Sequence, residues 1–166
     1  MPTTLAIFAS KHPPQPPNRP AEPADQGRKL DFEDGVIAVS GPPFPSEVAG
    51  KPGLPYGRHL WVILPEQLPA ILETAPNVRP PPLESGLAKH SNLTGNGPAC
   101  CGGELWVDAL DPRKLYVNGG SGRYPPRTPD ELADAIEVFE NLGFSVISAG
   151  WDSENDWPFK QFELES

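Results

Sequence analysis

The sequence predicts an α+β fold, a small mixed or antiparallel sheet with one amphipathic helix behind a proline-rich N-terminal arm. The chain has 166 residues, which is the length of one ordinary domain. Of its 24 prolines, 18 fall in residues 1–82 and 6 in residues 83–166. Because proline interrupts regular structure, we expect most of it in the second half. There two strand patterns, a helix pattern and a further strand pattern predict a ββαβ unit.

The N-terminal segment is predicted to be extended. Residues 10–29 are polar and rich in proline, so they favour neither a helix nor burial. We therefore divide the chain into an extended arm, residues 1–34, and a single α+β domain, residues 35–166. The arm is either a solvated leader or a polyproline II ligand for an aromatic-lined groove, and the sequence leaves both open.

Two strands and one short helical turn are expected in the first half of the domain. Residues 35–39 form a short apolar run, and residues 60–64 form a longer continuous one that predicts a central strand. Pro65 and Pro69 bracket a stretch that fits a single turn of helix.

The second half carries the strongest local patterns. Residues 104–107 and 115–117 are separated by a turn that begins at Asp-Pro, which predicts a β-hairpin. In the helix that follows, Thr128 is the expected N-cap, with a proline next to it and Glu131 completing a capping box. Its apolar stripe is predicted to consist of Leu132, Ile136, Phe139 and Leu142. Gly143 ends the helix, residues 144–149 return as a strand, and the aromatic tail, residues 151–166, is expected to pack against the domain.

Composition narrows the function classes. The net charge is −9, so the field of the whole molecule repels phosphate backbones and argues against unspecific nucleic-acid binding. An acidic surface fits a basic protein partner equally well. No apolar window approaches the ~20 residues that cross a bilayer, and we expect a cytoplasmic protein without a membrane partner. The two cysteines, Cys100 and Cys101, are adjacent, and no metal ion or cofactor is predicted.

Three polar segments are more typical of a functional site than of a structural framework. They are residues 89–95, 101–104 and 118–124. Each lies where a predicted strand begins or ends, so they can converge at one end of the hairpin. His90 and Glu104 are the candidate acid and base, although such a pair is often structural. The candidate ligand contacts in the first segment are Ser91, Asn92 and Thr94.

The third segment predicts an anion site. Gly119, Gly120 and Gly122 surround Ser121 and permit positive φ, so successive N–H groups can form a nest, or the glycines only make a wide turn. Arg123 would then hold phosphate or carboxylate as a fork, and Tyr124 either stacks on a base or caps the core. The predicted ligand contacts here are Ser121, Gly122, Arg123 and Tyr124.

The run KHSNLTGNGPACCGGELWVD and the later LYVNGGSGRYPP resemble an uncharacterised bacterial family with the pattern HxNLT…GGELW…GGSGRYPP. The resemblance covers about the C-terminal half and implies no activity. More loosely, His90, Gly103-Glu104 and residues 121–124 resemble the histidine, "GE" and "SGHY" pattern of some toxin-like modules and plant calmodulin-binding proteins with IQ motifs. Arg123 stands where those proteins have histidine.

Two functions follow from these observations. In the first, the protein binds or acts on a nucleotide, NAD or RNA, in the general style of ADP-ribosyltransferases or sheet-based ribonucleases. In the second, it is a non-catalytic immunity, inhibitor or adaptor protein. Its acidic surface and the aromatic residues Trp151, Trp157, Phe159 and Phe162 would then engage a basic partner.

Overall fold

A six-stranded sheet forms the centre of the protein in the computed structural model, which describes residues 3–19, 24–46 and 48–163. The sheet order is β1-β3-β2-β4-β5-β6, and all neighbours are antiparallel except β5 and β6. The strands are β1 Ile37–Ala38, β2 His59–Ile63, β3 Pro69–Leu72, β4 Cys101–Val107, β5 Lys114–Asn118 and β6 Ser145–Ser148. A separate hairpin consists of β7 Trp151–Asp152 and β8 Trp157–Pro158. The predicted small α+β fold is confirmed.

The helices pack against the sheet or connect its strands. They are α1 Thr4–Lys11, α2 Ser91–Thr94 and α3 Pro129–Asn141, with two 3-10 turns, Ala24–Gly27 and Phe32–Asp34. Since α3 links the parallel strands β5 and β6, the elements β4, β5, α3 and β6 form the predicted ββαβ unit. No helix in the described part of the chain is long and apolar enough to cross a membrane.

Helix α3 begins as the sequence predicts, except that its capping box is half formed. The hydroxyl of Thr128 accepts the N–H of Glu131 at 3.1 Å. The Glu131 carboxylate binds the residue before the cap instead, accepting the backbone N–H of Arg127 at 2.8 Å and its guanidinium at 3.0 Å. Gly143, with φ of +112°, then adopts the left-handed conformation that ends many helices.

Both faces of the sheet are covered, which explains the continuous apolar run of β2. Trp61 and Ile63 point into the core beneath α3, where Trp61 meets Phe139 edge to face at 5.2 Å. Leu60 and Val62 point into the second core on the opposite face. Strand β2 therefore lies in the interior of the sheet, as its sequence predicts.

The N-terminal segment differs from its prediction because residues 4–11 are helical rather than extended. The stretch contains no proline, and the Thr3 hydroxyl caps it by accepting the N–H of Ala6 at 3.0 Å. The side chain of Phe8, only 2% exposed, packs into the core beneath α3. Further along, Gln15 pairs with Ala99, and Leu30 is buried in the second core. Phe8, Gln15 and Leu30 therefore anchor the described part of residues 1–34 to the rest of the protein.

The predicted helical turn between Pro65 and Pro69 is wrong, because these residues form a hairpin turn. The N–H of Leu64 donates to the carbonyl of Gln67 at 2.8 Å. Strand β3 then begins at Pro69, a position where a missing N–H is tolerated.

The C-terminal tail crosses the face of the sheet that α3 leaves free. Phe162 meets Trp106 edge to face at 5.6 Å and Tyr116 at 5.9 Å. These two residues pair across β4 and β5 and point away from the core beneath α3. The tail thereby reaches the end of the β4–β5 hairpin, where the predicted polar segments meet.

Candidate functional site

The side-chain amide of Asn118, at the end of β5, organises the site. It is fully buried and lies directly opposite Glu104 on β4. Its Oδ1 accepts the backbone N–H of Glu104 at 3.0 Å and that of Gly120 at 2.8 Å. Its Nδ2 donates to Oε1 of Glu104 and to the carbonyl of Lys160, both at 3.0 Å. One amide thus fixes a carboxylate, the glycine loop and the tail.

Glu104 is held in a mostly buried position, with 15% of its side chain exposed. Its Oε2 lies 3.3 Å from Nε of Arg58, although that N–H is not aligned for a hydrogen bond. Arg58 also reaches Oε1 of Glu73 at 3.3 Å. Burial raises the pKa of Glu104, and the bond from Asn118 and the charge of Arg58 oppose the rise. A carboxyl group with a raised pKa is suited to proton transfer.

His90 faces the same space but is a weak acid–base group. Its Nε2 lies 2.7 Å from the carbonyl of Gly103, so Nε2 carries the hydrogen and Nδ1 is left as an acceptor. Burial lowers the pKa of His90 to about 4, which leaves the ring neutral near pH 7. The ring fits because residue 102 is glycine, where a Cβ would lie 3.1 Å from Cδ2 of His90. His90 is therefore suited to orienting a ligand.

Arg123 has only neutral partners among the described residues. Its guanidinium donates to the hydroxyl of Ser91 and to the side-chain oxygen of Gln26. Burial lowers the pKa of Arg123, and the nearby charge of Arg19 lowers it further. No carboxylate of the described side chains therefore pairs with the positive charge of this half-buried group.

The glycine loop does not form the predicted nest. Gly119, Gly120 and Gly122 do not have positive φ. The N–H of Ser121 donates to Gly119 at 2.9 Å, and that of Tyr124 donates to the Ser121 hydroxyl at 3.0 Å. The N–H of Gly120 donates to Oδ1 of Asn118. Three N–H donors of the loop are therefore already bonded within the protein and do not point to an anion.

The glycines instead allow close approach of side chains. A Cβ on Gly120 would lie 2.8 Å from Oε1 of Glu104. A Cβ on Gly122 would overlap the guanidinium of Arg19. Any larger residue at either position would displace one of these charged groups.

These residues surround a cavity of about 340 Å³. Its wall carries three cations, Arg19, Lys89 and Arg123, and two acids, Glu73 and Glu104. The acids are bridged by Arg58, whereas none of the three cations forms an ion pair with the side chains of residues 3–19, 26–46 and 48–163. The other lining residues are Gln26, Leu60, Ala88, His90, Gly120 and Gly122. Nowhere in the described ranges do three or more His, Cys, Asp or Glu side chains cluster to hold a metal ion.

The predicted site residues divide into cavity wall and support. His90, Glu104, Gly122 and Arg123 line the cavity, and Ser91 lies behind Arg123. The supporting residues are Asn92, Thr94, Ser121 and Tyr124.

Each supporting side chain is occupied by the protein itself. The amide of Asn92 binds backbone, at 2.8 Å from the N–H of Lys89 and 2.9 Å from the carbonyl of Arg28. The Thr94 hydroxyl meets the Tyr124 hydroxyl at 2.8 Å. The Tyr124 ring is 3% exposed and belongs to the second core, so it caps that core rather than stacking on a ligand.

Five contributors to the site are not among the predicted site residues: Arg19, Gln26, Arg58, Glu73 and Asn118. Asn118 is the one with a local signal, because it ends a predicted strand and precedes the glycines. The others come from the proline-rich segment or from the residues next to β2 and β3, and long-range pairing brings them together.

Replacing Asn118 tests the organising amide. In Asn118→Asp, a carboxylate would face Glu104 and the Lys160 carbonyl without a hydrogen to donate. We expect a loss of about 1–3 kcal/mol in the free energy of unfolding, measured by urea denaturation near pH 7.5. The exposed Asn77→Asp is the control and should stay within about 0.5 kcal/mol of wild type. Equal stability of the two variants would contradict the role of Asn118.

Comparisons with protein-family models, with curated proteins and with solved structures found no match to this chain. The resemblances drawn from its motifs therefore stay predictions. Any function has to be argued from the cavity and the surfaces themselves.

Proposed function

We propose that the cavity binds the phosphate group of a small ligand, such as a nucleotide, NAD or the end of an RNA. The observation that carries the proposal is the guanidinium of Arg123, which is half-buried beside Arg19 and, among the side chains that the structure describes, is bonded only to neutral groups. Desolvating a cation without a counter-charge costs free energy. A bound anion would supply that charge in a protein whose net charge is −9.

The arrangement of the cations favours phosphate over a simple point anion. Arg19 and Arg123 both present planar guanidinium groups, which can bind phosphate oxygens in a bidentate manner. Lys89 adds a third positive charge to the same wall. Because the protein carries a net charge of −9, a long polynucleotide would be repelled, and a small ligand is favoured.

Glu104 adds a chemical role to the binding site. Its carboxyl lies in the wall of the same cavity and has a raised pKa. It can exchange a proton with a ligand group or stabilise positive charge that develops there. Neutral His90 would orient the ligand through Nδ1.

Titration calorimetry with inorganic phosphate, ADP and NAD tests the proposal. Wild type should bind at least one of them, and Arg123→Gln should weaken that binding about 10- to 100-fold because a charged hydrogen bond is lost. The control is Arg113→Gln, which removes one positive charge from an exposed position outside the cavity. It should bind the probes as wild type does. Absence of binding to all three probes by wild type would refute the proposal.

A second candidate function, docking of a basic protein segment, is favoured by the outer edge of β6. This strand is the last in the described sheet. Ser145, its first residue, donates its N–H to the carbonyl of Arg113 just before β5 at 2.9 Å, and Ala149, the residue after β6, donates to the carbonyl of Val117 at 3.0 Å. Successive residues of a strand direct their backbone N–H and C=O groups to opposite sides. Val146 and Ser148 therefore direct theirs to the open edge of β6, where an extended segment can form hydrogen bonds with them.

The surroundings of this edge suit a basic occupant. A groove of about 560 Å³ runs between β6 and the tail, lined among others by Ile147, Phe159 and Glu163. Ile147 is 36% exposed and Phe159 45% exposed. Residues 145–163 contain the acids Asp152, Glu154, Asp156 and Glu163 against one cation, Lys160. We propose that an extended segment with alternating lysine or arginine would add to β6.

Ser148→Pro removes one edge-facing N–H while leaving the hydrogen bonds to β5 in place. A fluorescent nine-residue peptide of alternating lysine and valine should bind wild type, more weakly at higher salt, and should not bind this variant. Ser148→Ala, which keeps the N–H, is the matched control and should bind normally. The proposal would be rejected if wild type bound a glutamate–valine peptide as tightly as the lysine–valine peptide. It would also be rejected if Ser148→Pro and Ser148→Ala bound the lysine–valine peptide equally.

A further inference from the structure

The cavity has an acidic end as well as a cationic one, and this narrows the ligand beyond its phosphate. Glu73 and Glu104 each expose 15% of their side chains and share Arg58, which lies 3.3 Å from both. When both carboxylates are ionised, the three groups together carry one net negative charge. A bare phosphate ion would gain nothing from this end, because carboxylates repel it.

The two ends lie close enough for one small molecule to touch both. Glu104 packs against Gly120, and Arg19 packs against Gly122. The Cα atoms of residues two apart are separated by at most about 7 Å. The cavity, about 340 Å³, is also near the small end of the range of about 300–1,000 Å³ found for ligand pockets. A single sugar phosphate suits these dimensions better than a dinucleotide.

We infer that the ligand is a sugar phosphate with free neighbouring hydroxyls, such as a ribosyl phosphate. Its phosphate would meet Arg19 and Arg123, and its hydroxyls would donate to Glu73 and Glu104. A carboxylate accepts hydrogen bonds at two oxygens, so two carboxylates together match a pair of hydroxyls. Arg58 offsets half of their negative charge, which favours neutral hydroxyl donors over an ammonium group. This inference rests on the proposed function, because it requires phosphate to bind at the cationic end.

Titration calorimetry of wild type with four probes tests the inference without any variant. The probes are inorganic phosphate, ribose 5-phosphate, 2-deoxyribose 5-phosphate and 2-aminoethyl phosphate. Ribose 5-phosphate should bind about 10-fold or more tightly than inorganic phosphate, since two added hydrogen bonds contribute. Loss of one hydroxyl in the deoxy sugar should remove part of that gain.

Two variants then separate the ends of the cavity. Glu73→Gln should weaken ribose 5-phosphate and leave inorganic phosphate unchanged or slightly tighter, whereas Arg123→Gln should weaken both. Glu66→Gln, an exposed acid outside the cavity, should change neither. Circular dichroism of each variant establishes that it is folded.

The outcomes distinguish the two proposals. If inorganic phosphate binds and the sugar adds no affinity, or if 2-aminoethyl phosphate binds more tightly than ribose 5-phosphate, the sugar inference is overturned and the phosphate site stands. If none of the four probes binds, both are overturned. A sugar preference that is unchanged in Glu73→Gln would also refute the assignment of the hydroxyls.

Discussion

The hydrogen bonds of the Asn118 amide are the constraint on which the site depends. Two N–H groups and two acceptors meet at this one buried side chain, and they belong to β4, to the glycine loop and to the tail. A buried amide is stable only when its donors and acceptors are all used. The position of Glu104 in the cavity is therefore coupled to the position of residues 119–122 and of the crossing tail. An isolated hairpin could not hold that carboxylate in place.

The charges of the cavity follow from tight packing around glycine. Gly102 leaves room for the ring of His90, Gly120 for the carboxylate of Glu104, and Gly122 for the guanidinium of Arg19. In this way a small space holds groups of both signs. The acidic pair is neutralised in part by Arg58, but the cations have no described carboxylate partner. This imbalance, within a protein of net charge −9, is the physical basis for proposing an anionic ligand.

Local sequence signals predicted part of the fold and part of the candidate site. The apolar run of β2, the β4–β5 hairpin and the Thr128 cap of α3 depend on neighbours in sequence, and the structure has all three. The meeting of His90, Glu104 and Arg123 followed from their places at strand ends. Pairing between distant segments could not be inferred, because no local pattern indicates that Arg19 or Glu73 lies in the same cavity as these three residues. The sequence left the glycine loop open between an anion nest and a wide turn, because glycine serves both positive φ and close approach, and sequence alone does not separate these causes.

The most direct test of the account is to locate an anion in the cavity. Crystals soaked in selenate, a phosphate-like ion with an anomalous signal, would show its position. We expect a peak at about 3 Å from the guanidinium groups of both Arg19 and Arg123, the range of charged hydrogen bonds. The proposed anion site would be contradicted if selenate bound elsewhere and not in the cavity. It would also be contradicted if a carboxylate of the chain occupied that position.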